Sequence, residues 1–363
     1  MARTILIAAG GTGGHLFPGV AVADELVRRD PSTRVVFVGT PRGLESRLVP
    51  KAGYELELLP IQPLNAVGAR RLLVGLLVLP WAMLRALGLV LRLRPAAVLG
   101  VGGYAGGPVA LLAALAGRRT VILEPNARPG FTNRVLRPFV EAAACAYEET
   151  RVAFGDKGVV TGNPVRGGFA RLPRREHRHP LTLLAFGGSQ GSRALNRALV
   201  EALEHLPGED LLRIVHQTGE RMHWEVDEAY LAADRGSAEV RPFLDDMVER
   251  MGAADLVLSR SGATTCAELT VGGRAAVLVP FAAAADDHQR TNARALEAAG
   301  AARMIEEKDL TGESLAREVT ALVDEPARIG AMEEAARKLG RPDAAARVAD
   351  LVLGDSPEGE GSC

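Results

Sequence analysis

Cysteine is scarce in this chain of 363 residues: Cys145, Cys266 and Cys363 lie far apart, with no CxxC pair and no Cys/His spacing. That excludes a disulfide framework and a structural zinc site, and it fits a reducing cytoplasm. No leader is expected either, because MARTILIAAGG runs directly into a strand-like stretch without the basic, apolar and cleavage regions of a signal peptide. The longest apolar stretch, Leu72 to Leu84, has 13 residues, contains Pro80 and is followed by Arg85, Arg92 and Arg94. A membrane span needs about 20. No Asp-x-Asp pair occurs and no His/Asp/Glu cluster has metal spacing, so neither a bound metal nor another cofactor is expected.

What is present describes a folded protein, with 47% hydrophobic and 24% charged residues. At roughly 150 residues per domain the length favours two domains. The net charge of −1 is unevenly spread: residues 1–180 hold 24 Lys+Arg against 12 Asp+Glu, and the remainder holds 19 against 32. A basic half suits an anionic surface or ligand. Nothing points to nucleic acid.

Short β-branched or Leu-rich runs alternate with Ala/Leu-rich helical stretches, the pattern of βα units around a parallel sheet. Strands are expected at Thr4 to Ala8, Arg34 to Val38, Tyr54 to Leu59, Ala97 to Leu99, Thr120 to Leu123 and Ala142 to Cys145. A second set follows at Leu181 to Phe186, Leu212 to Gln217, Ala238 to Pro242, Asp255 to Ser259, Ala275 to Pro280 and Ala302 to Ile305. TILIAAGGTGGH and LTLLAFGGSQGS open the two halves alike, each with a strand and a Gly-Gly-x-x-Gly turn. RLPRREHRHP, Arg171 to Pro180, reads as a charged linker between two doubly wound domains that face one cleft.

Five motifs carry chemistry. Gly10-Gly11-Thr12-Gly13-Gly14-His15 precedes a helix expected to begin near Pro18. Its glycines allow close backbone approach, and the helix start offers N–H groups to an anion. It is neither a Walker loop nor GxGxxG, and a plain βα turn accounts for it equally. His15 at its mouth suits a general base because imidazole titrates near neutrality, although a bond to local backbone is the simpler role. Gly100 to Pro108 satisfies G-x-G-x-x-A before a helix at Val109 to Leu115, with Glu124 ending the next strand. That is the best case for a rival nicotinamide-dependent oxidoreductase. Ser189, in Gly187 to Ser192, is either a phosphate donor or a helix cap. In the turn from Ser259, Ala263, Thr264, Thr265, Cys266 and Ala267 lead to Glu268, a ribose acceptor or a solvated acid at a helix start. Gln289 follows Asp286 by three residues, as in a capping box that starts a helix to Ala299. Asn126 and Arg166 complete the set, Arg166 as a bidentate diphosphate ligand or a surface ion pair.

Taken in order, GGTGGHLFPGVAVADEL, GVGGYAGGP, NARPGFTNR, TGNPVR, FGGSQGSRALN, RSGATTCAEL and PFAAAADDHQRTNARALEAAGAA resemble the MurG family, the lipid-linked N-acetylglucosaminyltransferases of bacterial peptidoglycan synthesis. The resemblance implies an α/β glycosyltransferase B fold of two doubly wound Rossmann-like domains. Residues 1–164 would form the acceptor and membrane domain, with a last helix at about 341–354 packing back on it. Residues 165–340 would bind UDP-GlcNAc, and 355–363 would be a flexible tail. It further implies inverting GlcNAc transfer to the 4-hydroxyl of MurNAc-pentapeptide on undecaprenyl diphosphate, at the cytoplasmic face of the cell membrane. Donor contacts carried over by motif are Thr12, Gly13, Gly14, Asn126, Arg166, Ser189, Leu244 (base, through its backbone), Ala263 to Glu268 (Glu268 to ribose) and Gln289. Asn126 and Gln289 would meet the sugar.

His15 is then the expected base, with Glu124 as second candidate. Leu123-Glu124-Pro125-Asn126 stands where the family usually has His-Glu-Gln-Asn, which removes two polar side chains and one N–H. An apolar patch of Leu72, Leu73, Leu76, Leu77, Leu79, Trp81 and Leu84, rimmed by Arg70, Arg71 and Arg85, suits an anionic membrane face or simply a buried amphipathic helix. Within the same fold a lipid galactosyltransferase, a soluble natural-product glycosyltransferase or a nucleotide-sugar epimerase stays open; outside it, so do the nicotinamide-dependent oxidoreductase and a silent UDP-sugar-binding module.

Overall fold

Runs of Ile, Leu, Val and Ala that are too short for a helix and end at glycine become parallel strands buried on both faces. The computed structural model describes residues 3–10, 13–41, 43–60, 69–188, 190–284 and 287–355, with backbone alone for 69–79, 104 and 105. It divides into two units, Met1–Arg166 with Pro342–Cys363, and Gly167–Arg341.

In the first unit the order is β1 (Thr4–Ala9), α1 (Gly13–Arg29), β2 (Arg34–Gly39), α2 (Glu45–Lys51), β3 (Glu55–Leu58), α3 (Ala69–Leu93), β4 (Ala97–Gly102), α4 (Gly103–Leu115), β5 (Arg119–Glu124), α5 (Phe131–Leu136), β6 (Ala142–Cys145), α6 (Glu148–Phe154) and β7 (Gly158–Val160). The second runs β8 (Leu181–Phe186), α7 (Arg193–Ala202), β9 (Leu212–Gln217), α8 (His223–Ala232), β10 (Glu239–Arg241), α9 (Met247–Ala253), β11 (Leu256–Ser259), α10 (Ala263–Gly272), β12 (Ala276–Leu278), α11 (His288–Ala298), β13 (Ala302–Met304), α12 (Gly312–Val323) and α13 (Pro326–Leu339). The last helix, α14 (Ala344–Leu353), belongs to the first unit.

Both sheets are parallel, ordered β3-β2-β1-β4-β5-β6-β7 and β10-β9-β8-β11-β12-β13. Each therefore reverses direction beside its first strand, between β1 and β4 and between β8 and β11. In such sheets the carboxyl ends at that reversal form the ligand crevice. The first core joins Ile5, Ile7 and Leu99 of the sheet to Leu16, Val22 and Leu26 of α1 and to Val348, Leu351 and Val352 of α14. Those three α14 side chains contribute on the order of 5 kcal/mol by burial. Arg29 pairs with Asp350 at 2.5 Å, and Arg119 Nε donates to the Leu351 carbonyl at 2.9 Å.

Three features depart from the sequence reading. Helix α1 begins at Gly13, not near Pro18, and α4 at Gly103, not Val109, so the glycines are the first helical turns. Each proline is the sixth residue of its helix and forfeits a single i→i−4 bond, a small cost in a helix anchored on a buried sheet. Strand β7 was unforeseen, being short and half-buried. The charged segment Arg171 to Pro180 is no free linker. It lies within the second unit, where Arg174 pairs with Glu334 at 2.6 Å and the buried His177 meets Asp255 at 2.9 Å. His177 and Arg175 meet Asp255 within the fold, whereas Arg178 and Glu176 pair with each other in solvent. Val165 and Arg166 fall with the first unit.

Candidate active sites at the sheet reversals

In the first unit the turns after β1 and β4 touch. Gly103, at φ +75°, sits so near Gly10 that a Cβ would lie 1.9 Å from the Gly10 carbonyl oxygen. A Cβ on Gly102, at φ +114°, would lie 2.6 Å from Cδ2 of His15. Glycine is demanded at both positions by close approach, and the half-exposed His15 imidazole rests on the β4 turn. Gly13 backs onto Phe17, whose ring carries the Arg166 guanidinium 4.3 Å from its centroid. That stacking fixes the plane of the guanidinium. Thr12 lies outside the described residues.

Glu124 ends β5 and is buried. Its Oε1 accepts from the backbone N–H and the Nδ2 of Asn126, both at 3.2 Å, and its Oε2 from the Gly130 N–H at 2.8 Å and Asn133 Nδ2 at 2.9 Å. Burial pushes its carboxyl above the usual range, and the four donors partly offset that. These four bonds tie the Glu124 carboxylate to the 126–133 segment. Asn163 is also buried, and neither of its amide atoms bonds a described group.

In the second unit Arg260 draws together the ends of β8, β11 and β12. Its Nε donates to Ser192 Oγ at 3.0 Å, NH1 to the carbonyls of Val279 and Pro280 at 3.2 Å, and NH2 to Glu307 at 3.0 Å. Ser192 is also the N-cap of α7, so the cap falls there; Ser189 lies outside the described residues. Leu244 is buried and its N–H donates to Gln217 Oε1 at 2.9 Å, while Gln217 Nε2 donates to the Gly188 carbonyl at 3.0 Å.

Helix α10 begins at Ala263, with Gly262 as N-cap. Thr264, Cys266 and Glu268 are buried, and Ala263, Thr265 and Ala267 are partly exposed. Burial pushes the Cys266 thiol up to about 12, so it is no nucleophile. Buried Glu268 is not the solvated acid of the simpler reading. Gln289 Oε1 accepts from the Phe281 N–H at 3.0 Å. Helix α11 is preceded by Asp287 at φ 55° with no side-chain cap, and the capping-box reading rests on Asp286, which lies outside the described residues.

Arg260, Gln217 and Thr150 escaped the sequence reading. Only Arg260, inside a quoted motif, left a signal there.

On α3, Ala82, Ala86, Leu89 and Val90 are buried, whereas Trp81 and Leu84 are 58% and 63% exposed, with Arg85 6.0 Å from the Trp81 ring centroid. That part of the helix thus has a core face and an apolar outer face. The side chains of Arg70, Arg71, Leu72, Leu73, Leu76, Leu77 and Leu79 lie outside the described residues. No helix among the described residues is long and apolar enough to cross a membrane.

Two parallel reversal sites, each a glycine turn feeding a helix, define a protein of two Rossmann-like domains, and the comparisons make it a glycosyltransferase. Residues 5–145 match the glycosyltransferase family 28 N-terminal domain and residues 182–348 its C-terminal domain. A Myxococcus xanthus protein, UDP-N-acetylglucosamine–N-acetylmuramyl-(pentapeptide) pyrophosphoryl-undecaprenol N-acetylglucosamine transferase, is 49% identical over 96% of this chain and 92% of its own length. The crystal structure of Acinetobacter baumannii MurG superposes with a TM-score of 0.76 at 33% identity, covering 98% of this chain and 100% of that one. A Neisseria meningitidis UDP-GlcNAc 2-epimerase shares the fold alone, with a TM-score of 0.68 at 12% identity, over 97% of this chain and 100% of that one. This chain belongs to the family of UDP-N-acetylglucosamine–N-acetylmuramyl-(pentapeptide) pyrophosphoryl-undecaprenol N-acetylglucosamine transferases.

Proposed function

We infer that this chain transfers GlcNAc from UDP-GlcNAc to the 4-hydroxyl of undecaprenyl-diphospho-MurNAc-pentapeptide, inverting the anomeric carbon. The observation that carries the reading is the 49% identity along nearly the whole length to a relative named for that transfer, beside a strand-order reversal in each unit. The reaction breaks the bond from sugar C1 to the UDP oxygen and forms one from C1 to the acceptor O4. A proton leaves O4, and UDP departs with the bonding electron pair. His15 takes the proton. Arg166 and the amides at the starts of α1 and α10 meet the diphosphate as its charge grows, joined by Gly13, Gly14, Thr12 and Ser189. Ala263 to Glu268 hold the nucleoside, Glu268 at the ribose and the Leu244 backbone at the base, while Asn126 and Gln289 meet the sugar.

Trp81 and Leu84 with Arg85 form the described part of a contact with the anionic cytoplasmic face of the membrane, where the acceptor resides. UDP release from UDP-GlcNAc is expected only when a lipid-linked muramyl acceptor is present; release without it marks an epimerase or hydrolase instead. Sedimentation with anionic vesicles tests the patch: salt-sensitive binding that Trp81→Ser weakens is expected, and binding indifferent to either rejects it.

A further inference from the structure

Asn126 is gripped from two directions. On one side Glu124 takes both its backbone N–H and its Nδ2. On the other, Thr150 of α6, fully buried, donates its hydroxyl to the Asn126 carbonyl at 2.7 Å. Pro125 between Glu124 and Asn126 narrows the backbone further by fixing its own φ. A carboxylate only accepts hydrogen bonds, so the amide nitrogen must face Glu124 and the amide oxygen must turn away. The segment therefore presents an acceptor, Asn126 Oδ1, whose direction is set by Glu124 and Thr150.

We propose that Thr150 and Glu124 are positioning residues for Asn126, holding its Oδ1 as the acceptor for a hydroxyl of the donor sugar. The proposal rests on the reading that Asn126 meets that sugar. Thr150 is the sharper probe, because among the described residues its hydroxyl bonds only the Asn126 backbone oxygen, whereas Glu124 also holds Gly130 and Asn133.

The test compares Thr150→Val, Thr150→Ser and Asn126→Ala in the full chain, by steady-state kinetics with UDP-GlcNAc and the lipid acceptor and by calorimetric binding of UDP, which carries no sugar. Thr150→Val keeps the shape and loses the hydroxyl. It is expected to lower kcat/KM for UDP-GlcNAc by about tenfold, the scale of one buried hydrogen bond, with UDP affinity held within about twofold. Thr150→Ser is expected to restore kcat/KM to within about threefold of the parent. Normal kinetics in Thr150→Val beside an impaired Asn126→Ala overturn the positioning role and leave the Asn126 assignment standing. Unchanged kinetics in Asn126→Ala remove that assignment and the proposal with it. Loss of UDP affinity in Thr150→Val, or a Thr150→Ser as impaired as the valine variant, shows general structural damage and overturns the proposal.

Discussion

The two units share a strand order but organise their site loops around opposite charges. In the first, the Glu124 carboxylate collects N–H donors from Asn126, Gly130 and Asn133. In the second, the Arg260 guanidinium collects the Val279 and Pro280 carbonyls, the Ser192 hydroxyl and the Glu307 carboxylate. The buried anion uses up N–H donors and the half-buried cation uses up oxygens, so one fold ties its site loops in two chemically opposite ways.

The largest test of this contrast is His15→Ala. Turnover should fall by about 10²- to 10⁴-fold while UDP-GlcNAc affinity, measured by calorimetry, stays near the parent value. Comparable turnover removes His15 from the base role.

Arg260→Ala comes next, since it strands Glu307 and frees three loops. A loss of about 2–4 kcal/mol in urea unfolding is expected, with weakened UDP binding. Arg260→Lys should recover little, because one ammonium cannot span the same four partners. Full recovery with lysine breaks the comparison, reducing Arg260 to a simple charge.

Acid should separate the units. Burial pushes the His216 imidazole down to about 3. Its folded value lies below the unfolded one, so its stabilisation is intact above about pH 6.5 and is lost as the pH falls toward the folded value. Between pH 6.5 and 5 the second unit should lose about 2 kcal/mol, read by hydrogen exchange of its amides. Glu124 shifts the other way: its raised carboxyl contributes stability at low pH that is lost as the pH rises through the folded value. Acid loosening that persists in a folded His216→Gln variant rejects the assignment.

The smallest effect is that of Glu268→Ala, expected to weaken UDP binding about tenfold, or about 1.4 kcal/mol, with turnover at saturation nearly kept. Unchanged affinity refutes the ribose role.

Much of the architecture was legible because its signals are local. Ile5 to Ala8 and Leu183 to Phe186 announce buried strands by composition, and a glycine turn after each announces a ligand-facing edge. The helix starts at Gly13 and Gly103 were misplaced because glycine and proline both read as breakers, whereas packing against a sheet outweighs that preference. Glu124 was visible as a chemical residue but not as an anchor. Arg171 to Pro180 was misjudged because charge in isolation looks solvated, and its partners Asp255 and Glu333 lie far along the chain.

By itself the amino-acid order determined two βα halves, their glycine turns, their opposed charge and the family to which they belong, all of which depend on neighbours or short periods. Only the tertiary structure decided which polar atoms are spent and which remain. Thr150 reaches Asn126 across 24 positions and Arg260 reaches Ser192 across 68. Hydrogen-bond partners in a core are chosen by proximity in space, and a buried donor or acceptor costs too much to be left without one.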